Sequence, residues 1–361
     1  MKLSCLNTLE SPFVKSLPYK KPIDITLTNI ISIFIFSINL LHERHQMKAP
    51  NFWKNKNITA LFLLPLSFIY FIITLLNKFF SIQYKSKLKI ICVGNINVGG
   101  AGKTPVAIEI GRILRQNEIN FAYLSKGYGA DIKKFTKVEK NNLAFGDEPL
   151  LLAEIADTFV CNNRKTALKE LEKYNYDAIV MDDGFQNPTI FKDKNIVVIN
   201  GEYGIGNGFL LPSGPCRETM NSAIKRADLF IIIGNDKKGF CNYLKTNNLK
   251  YSTATVKINN KSDKILKYIA FCGIGMPNKF FKTLEENNYN VIKKYEFDDH
   301  FKYNKNILEK MILTARDDKA KLITTKKDWI KLPNDFKKEI DYIDIQIIFD
   351  NVNDIKNVVL R

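Results

Sequence analysis

The sequence predicts an α/β protein: a P-loop NTPase-like parallel-sheet domain, a second and smaller α/β domain, and an N-terminal membrane helix. Three observations carry this expectation. A buried-strand run at residues 88–93 enters a glycine loop that ends in Gly102-Lys103-Thr104, and an apolar-periodic helix follows. A second strand-like run, 177–181, ends in Asp182-Asp183-Gly184. Apolar runs at 196–199 and 229–233 then alternate with helical stretches, the order expected of a parallel, doubly wound sheet.

The glycine loop is the most specific element. Backbone N–H groups of a glycine-rich turn at a helix N-terminus close on phosphate groups, where the helix dipole favours negative charge. Asn97, Val98, Gly99, Gly100, Ala101, Gly102, Lys103 and Thr104 are the expected nucleotide-binding stretch. Lys103 is placed to reach the β- and γ-phosphates, and the Thr104 hydroxyl to ligate Mg²⁺. The strict G-x-x-x-x-G-K-[ST] pattern fails once, because Asn97 stands where its first glycine belongs. Asp182 and Asp183, at the carboxyl end of a parallel strand, suit a Mg²⁺ held directly or through water.

The second domain is expected over 265–340, and the P-loop domain over 85–250. Residues 251–264 and 341–361 read as a linker and a returning strand, with a polar loop at Asn259, Asn260, Lys261, Ser262 and Asp263. Gly273-Ile274-Gly275 is a tight βα turn rather than a second nucleotide site, since no G-x-x-G follows it.

The membrane expectation rests on residues 47–84. No charged residue occurs between Lys56 and Lys78, and 58–76 is nearly continuous apolar sequence. A bilayer core needs roughly 20 such residues, so the segment is long enough to span. Pro65 lies near its middle, however, and lysines flank both ends, which also fits a helix lying in an anionic interface. Residues 1–46 read as an N-terminal extension, with Met47 as an alternative start.

Composition adds direction rather than identity. At 361 residues, 45% hydrophobic and 25% charged, the chain is long enough for two α/β domains and is not a disordered polymer. Its net charge of +17 suits an anionic membrane, a phosphorylated substrate or nucleic acid. The six cysteines show no C-x-x-C pair and no metal-ligand spacing, which favours inert thiols in a reducing compartment.

In their order these motifs resemble the tetraacyldisaccharide 4′-kinases, the lipid A 4′-kinases. The resemblance runs from about Phe52 to the C-terminus. It is carried by Leu64-Pro65-Leu66, the Gly99-Gly100-Ala101-Gly102-Lys103-Thr104-Pro105 loop, and Ser125-Lys126-Gly127-Tyr128-Gly129. Gly146-Asp147-Glu148-Pro149, Asp182-Asp183-Gly184-Phe185-Gln186 and Leu211-Pro212-Ser213-Gly214-Pro215-Cys216-Arg217-Glu218 follow, then Asp299-His300 and Thr325-Lys326-Lys327-Asp328. The chain departs from the family at Asn187, where a His is common, and at Lys126 and Lys326, in place of Arg and Glu.

The resemblance implies transfer of the ATP γ-phosphoryl to the 4′-hydroxyl of an acylated disaccharide lipid, with Mg²⁺, at the cytoplasmic face of the bacterial inner membrane. It implies that Asp147 accepts the hydroxyl proton, that His300 pairs with it, and that Glu218 joins Thr104, Asp182 and Asp183 at the metal. Read locally, Asp147 equally caps a helix, and His300 and Glu218 equally sit in surface positions. Arg164 and Arg217 suit phosphate contacts or ordinary ion pairs. The expected partners are the lipid substrate and an anionic membrane surface, with no nucleic acid and no obligate protein partner. The rival reading is a membrane-recruited P-loop ATPase switch acting on a protein. Such switches often carry a Lys before the paired glycines, where this chain has Val98, and they leave the Asp182–Gln186 and Leu211–Glu218 strings unexplained.

Overall fold

The computed structural model describes residues 50–127, 134–140, 142–259, 263 and 265–361. The extension expected at 1–46, Tyr128-Gly129 of one motif, and Asn260, Lys261 and Ser262 of the polar loop lie outside the described residues.

Two sheets organise the chain. The strands are β1 (Lys89–Gly94), β2 (Phe121–Ser125), β3 (Thr136–Lys137), β4 (Thr158–Val160), β5 (Ala178–Asp182), β6 (Lys194–Asn200) and β7 (Leu229–Ile233), then β8 (Tyr251–Ile258), β9 (Lys267–Cys272), β10 (Asn290–Glu296), β11 (Lys321–Thr325), β12 (Ile340–Ile343) and β13 (Ile345–Phe349). Nine of them form the large sheet, in the order β13-β8-β7-β6-β1-β5-β2-β4-β3. It is parallel except at its edges, where β13 pairs antiparallel with β8 and β3 with β4. Its central strands are apolar and buried on both faces, as a sheet covered by helices requires. The second sheet, β10-β9-β11-β12, is wholly parallel.

The stretch 251–264, expected as a linker, supplies a strand, β8, to the large sheet. The β-like ending is two strands. β12 closes the second sheet, and β13, two residues later, returns to pair with β8. The chain therefore passes between the sheets twice. The C-terminal helix Val352–Val359 then packs Ile355, Val358 and Val359 into the core shared with the P-loop helix.

The N-terminal segment, expected as one membrane helix either spanning or lying in the interface, is not a single continuous helix. It forms α1 (Ile58–Phe62) and α2 (Leu64–Phe80), broken at Leu63. Pro65 explains the break: it has no N–H to donate and suits a first helical turn. Among the described residues no helix is long and apolar enough to cross a membrane.

One face of these helices packs on the protein. Trp53 and Tyr70 meet Leu211 in a small core, and Ser67 Oγ donates to Leu210 O at 2.8 Å. Trp53 Nε1 donates to Pro212 O, and Tyr70 OH to Arg217 O. The other face presents Ile58, Phe62, Leu66, Phe68, Phe79 and Phe80 to the exterior.

Candidate active site

β1 and β5 are neighbours, with Val93 opposite Asp182, so the end of one strand carries the glycine loop and the end of the other the two carboxylates. Close approach is built in at Gly94, where a Cβ would stand 2.4 Å from Phe185 Cβ. The loop runs from Asn95 into α3 (Lys103–Gln116). Gly102, at φ +93°, sits in the left-handed region that glycine tolerates best.

Asn95 is fully buried and shapes the loop from within. Its Nδ2 donates to Asn97 O at 2.6 Å, and its Oδ1 accepts from Lys103 Nζ at 3.3 Å. Gln186 Nε2 donates to Asn95 O at 2.7 Å, tying the glycine loop to the turn after β5. The segment containing Pro215 forms the outer clamp. Asn97 bridges Cys216, Val98 N donates to Pro215 O at 2.8 Å, and Arg217 N donates to Ile96 O at 2.8 Å. The backbone of Asn97 and Val98 thus fastens the loop, and the amides heading α3 from Gly102 onward face outward from the helix N-terminus.

Thr104 Oγ1 donates to Asp182 Oδ2 at 2.8 Å, joining two of the four expected metal ligands. Asp182 Oδ1 is buried and, among the described residues, has no hydrogen-bond donor. Burial, reinforced by repulsion from Glu148, pushes this carboxyl well above the ordinary carboxylate range, with Lys103 opposing.

Asp183 points elsewhere. Arg217 Nη1 donates to its two oxygens at 2.9 and 3.1 Å, and Lys103 Nζ lies 3.6 Å away. Desolvation pushes the Asp183 carboxyl up, but Arg217, Lys103 and Arg164 outweigh it and hold it below the usual range. Asp183 has φ +53°, a conformation costing a non-glycine residue on the order of 1–3 kcal/mol and concentrated at functional sites. Arg164 Nη2 holds the strained turn by donating to the carbonyls of Asp182 and Asp183.

Glu218, expected at the metal, accepts from Gln186 Nε2 at 3.0 Å and from Arg226. Arg226 stacks on Phe185, 4.1 Å from its ring centroid, and donates to Phe185 O at 2.8 Å. Asn187 folds back locally, its Oδ1 accepting from Thr189 N and Oγ1 at 2.8 Å. Among the described residues no three His, Cys, Asp or Glu side chains converge as a metal cage. A Mg²⁺ site needs none, because that ion keeps several waters and takes one or two carboxylates beside the substrate phosphates.

The second cluster forms between the sheets. Asp147 opens α4 (Asp147–Ala153), which packs under the large sheet, while His300 lies on the loop after β10. His300 Nδ1 is 2.9 Å from both Asp147 oxygens. His300 also has a left-handed backbone, φ +60°, and its N–H donates to Gly273 O at 3.1 Å. Two lysines complete the group. Lys327 Nζ lies 3.8 Å from Asp147, 3.9 Å from Glu148 and 3.4 Å from Asp299. Lys331 Nζ lies 3.4 Å from Asp147 and 3.0 Å from Asp328. Burial pushes the Asp147 carboxyl up, but Lys327, the His300 hydrogen bond and Lys331 together hold it well below the usual carboxylate range.

The structure therefore brings together Asp147 with His300, Lys103 with Asp183, and Thr104 with Asp182, and it sets Glu218 on Gln186 and Arg226. In the sequence Gly94-Asn95 belongs to the family's glycine-loop motif and Lys327 to the Thr325–Asp328 motif, each without an assigned role, and Arg226 and Lys331 fall in no motif. Only the i,i+4 spacing of Lys327 and Lys331, placing both on one face of a helical turn, could have signalled the pair.

Comparison with known proteins identifies the family. A family model described as Tetraacyldisaccharide-1-P 4′-kinase matches residues 59–361. The tetraacyldisaccharide 4′-kinase of Rickettsia bellii is 36% identical over 306 residues, 84% of this chain and 95% of that protein. That of Paramagnetospirillum magneticum is 35% identical, with the same coverage of both chains. Among solved structures, LpxK from Aquifex aeolicus in complex with ATP superposes with a TM-score of 0.67 at 25% identity, covering 84% of this chain and 98% of that one. The chain belongs to the tetraacyldisaccharide-1-phosphate 4′-kinase family.

Proposed function

We infer that this chain transfers the γ-phosphoryl of ATP to the 4′-hydroxyl of a tetraacyldisaccharide 1-phosphate, a step of lipid A biosynthesis. The observation that carries this reading is a phosphate loop and a buried carboxylate–imidazole pair from separate elements of one chain. Phosphoryl transfer needs little covalent chemistry from a protein. It needs a phosphate cradle, charge neutralisation and a group that orients the acceptor hydroxyl.

The P-loop NTPase-like unit, 85–250, supplies the cradle through the amides at the start of α3 and the Lys103 ammonium. Mg²⁺ fits beside it: the Thr104 hydroxyl and Asp182, with its undonated buried oxygen, suit a hard cation, while Asp183 and Glu218, engaged by Arg217 and by Gln186 and Arg226, would have to turn from these partners to join it. When bound, the ion neutralises charge on the β- and γ-phosphate oxygens. Arg217, held on Asp183, adds a guanidinium whose fork suits phosphate oxygens. The smaller α/β unit, 265–340, contributes His300 and the two lysines, so closing it on the substrate completes the site.

α1 and α2 supply the membrane contact in this reading. Their outer face carries aromatic and aliphatic side chains, Lys54, Lys56 and Lys85 border it, and the net charge of +17 attracts an anionic leaflet. The site of action is the cytoplasmic face of the bacterial inner membrane. Replacing Phe62, Phe68 and Phe79 with serine leaves the packed face intact. It is expected to weaken binding to anionic vesicles by at least about 10²-fold, since each buried Phe is worth roughly 1.5–3 kcal/mol. Sedimentation with vesicles measures this, and binding unchanged in the triple variant would place the membrane contact elsewhere.

The function itself is tested with purified protein, radiolabelled ATP, Mg²⁺ and a panel of lipid A precursors. The expected product is a disaccharide phosphorylated at the 4′ position. ATP hydrolysis stimulated by a protein and not by any lipid would instead favour a switch ATPase.

A further inference from the structure

Arg217 is gripped from three sides. Its N–H donates to Ile96 O at 2.8 Å, its guanidinium donates to both oxygens of Asp183, and its carbonyl accepts from Tyr70 OH at 3.1 Å. The first two contacts belong to the nucleotide site. The third comes from α2, 147 residues away along the chain. Tyr70 is 5% exposed, and its ring packs with Trp53 and Leu211. Burial pushes its phenol up to about 12, so the hydroxyl stays protonated and able to donate near neutral pH.

The stretch around Arg217 is fastened on two faces. Residues 207–217 lie outside the helices and named strands, so their backbone groups need partners elsewhere. On one face the partner is the glycine loop, where Val98 N donates to Pro215 O at 2.8 Å. On the other it is the N-terminal segment. Ser67 Oγ donates to Leu210 O and accepts from Ser213 N at 3.0 Å, and Trp53 Nε1 donates to Pro212 O at 3.0 Å. Asn207 Nδ2 closes the set by donating to Phe52 O at 3.0 Å. A loop held in this way takes its shape from both sides. The groups that hold it from the helix side are buried, so they are not the ones that face the exterior.

We propose that Tyr70 is a positioning residue for the nucleotide site: by holding the Arg217 carbonyl from α2, it sets the Arg217 guanidinium on Asp183 and the Arg217 amide on the glycine loop. The helix that turns its aromatic outer face to the exterior thus braces the phosphate site with its inner face. This rests on the kinase reading for the identity of the nucleotide, and it gives α2 a task separate from membrane contact. Loosening the brace lets the guanidinium and the loop carbonyls sample other positions, and the phosphates must then order them on binding.

The test has two arms, neither of which uses a lipid acceptor. Coupling between two sites is reciprocal, so a non-hydrolysable ATP analogue with Mg²⁺ should slow amide hydrogen exchange in α2 around Tyr70 of the wild-type full chain. Exchange there that is indifferent to saturating nucleotide overturns the proposal. In the second arm the affinity for the same analogue is measured by calorimetry, beside a thermal melt. Tyr70→Phe keeps the packed ring and is expected to weaken binding about three- to tenfold, the usual effect of one lost hydrogen bond. In an Arg217→Met background the same change should cost less than about twofold, because two changes along one path are not additive. Binding of Tyr70→Phe to anionic vesicles should match wild type, since the hydroxyl faces the protein. Wild-type nucleotide affinity in Tyr70→Phe, or losses that multiply in the double variant, overturn the proposal. Failure of the wild-type protein to phosphorylate any lipid precursor would instead fall on the kinase reading.

Discussion

Replacing Lys103 with alanine is expected to lower kcat by about 10²–10³ with the fold intact, the loss typical of one charge-stabilising group. The ammonium is held at the mouth of the loop by Asn95 Oδ1 at 3.3 Å and Asp183 Oδ1 at 3.6 Å, so it is in place before the phosphates arrive. Its removal costs transition-state charge neutralisation without emptying the core, since its side chain lies outside the packed clusters around α3. The measurement is kcat at saturating ATP beside a thermal melt. Near-normal turnover by a folded Lys103→Ala protein would remove the glycine loop from the chemistry.

Loss of either member of the pair between the sheets is expected to be at least as damaging. Asp147→Asn and His300→Ala should each reduce kcat by about 10²–10⁴, the usual contribution of general acid–base catalysis. Residues that act as a unit are not additive, so the double variant should be little slower than the slower single one. Rate losses that multiply in the double variant would show two independent roles. Stability supplies a companion check. The Asp147 carboxyl is depressed in the fold, so its contribution is present above the ordinary carboxylate value and disappears as pH falls through the folded one. Asp147→Asn should therefore destabilise the protein at pH 7 and do so less at pH 3, as followed by denaturant melts.

Much of this was legible before any coordinates. The strand, glycine loop and helix around Lys103 obey local rules, since a buried parallel strand is a short apolar run and a phosphate turn needs glycine. The carboxylates ending β5 and the strands at 194–200 and 229–233 fall where apolar runs placed them. The order of the motifs indicated the family. Apolar content alone left 58–76 open between a span and an interfacial helix, because a hydropathy run does not show where Pro65 starts a new helix, or that one face holds Ser67 and Tyr70 against the chain's own backbone.

What the sequence by itself determined, then, was the local chemistry: which residues can turn on phosphate, which strands are buried, and which carboxylates end a parallel strand. These follow from neighbours within a few positions. Only the tertiary structure decided the pairings. Asp147 and His300 are 153 residues apart, and Arg217 reaches Asp183 across 34. Lys331 gains its place from two carboxylates that belong to different parts of the fold. Such contacts are set by the packing of two sheets through a chain that crosses between them twice, and no local pattern encodes the distance between side chains so placed. Which carboxylate meets a cation, and so which stays ionised, is decided by that packing, because burial and charged neighbours act through space rather than along the sequence.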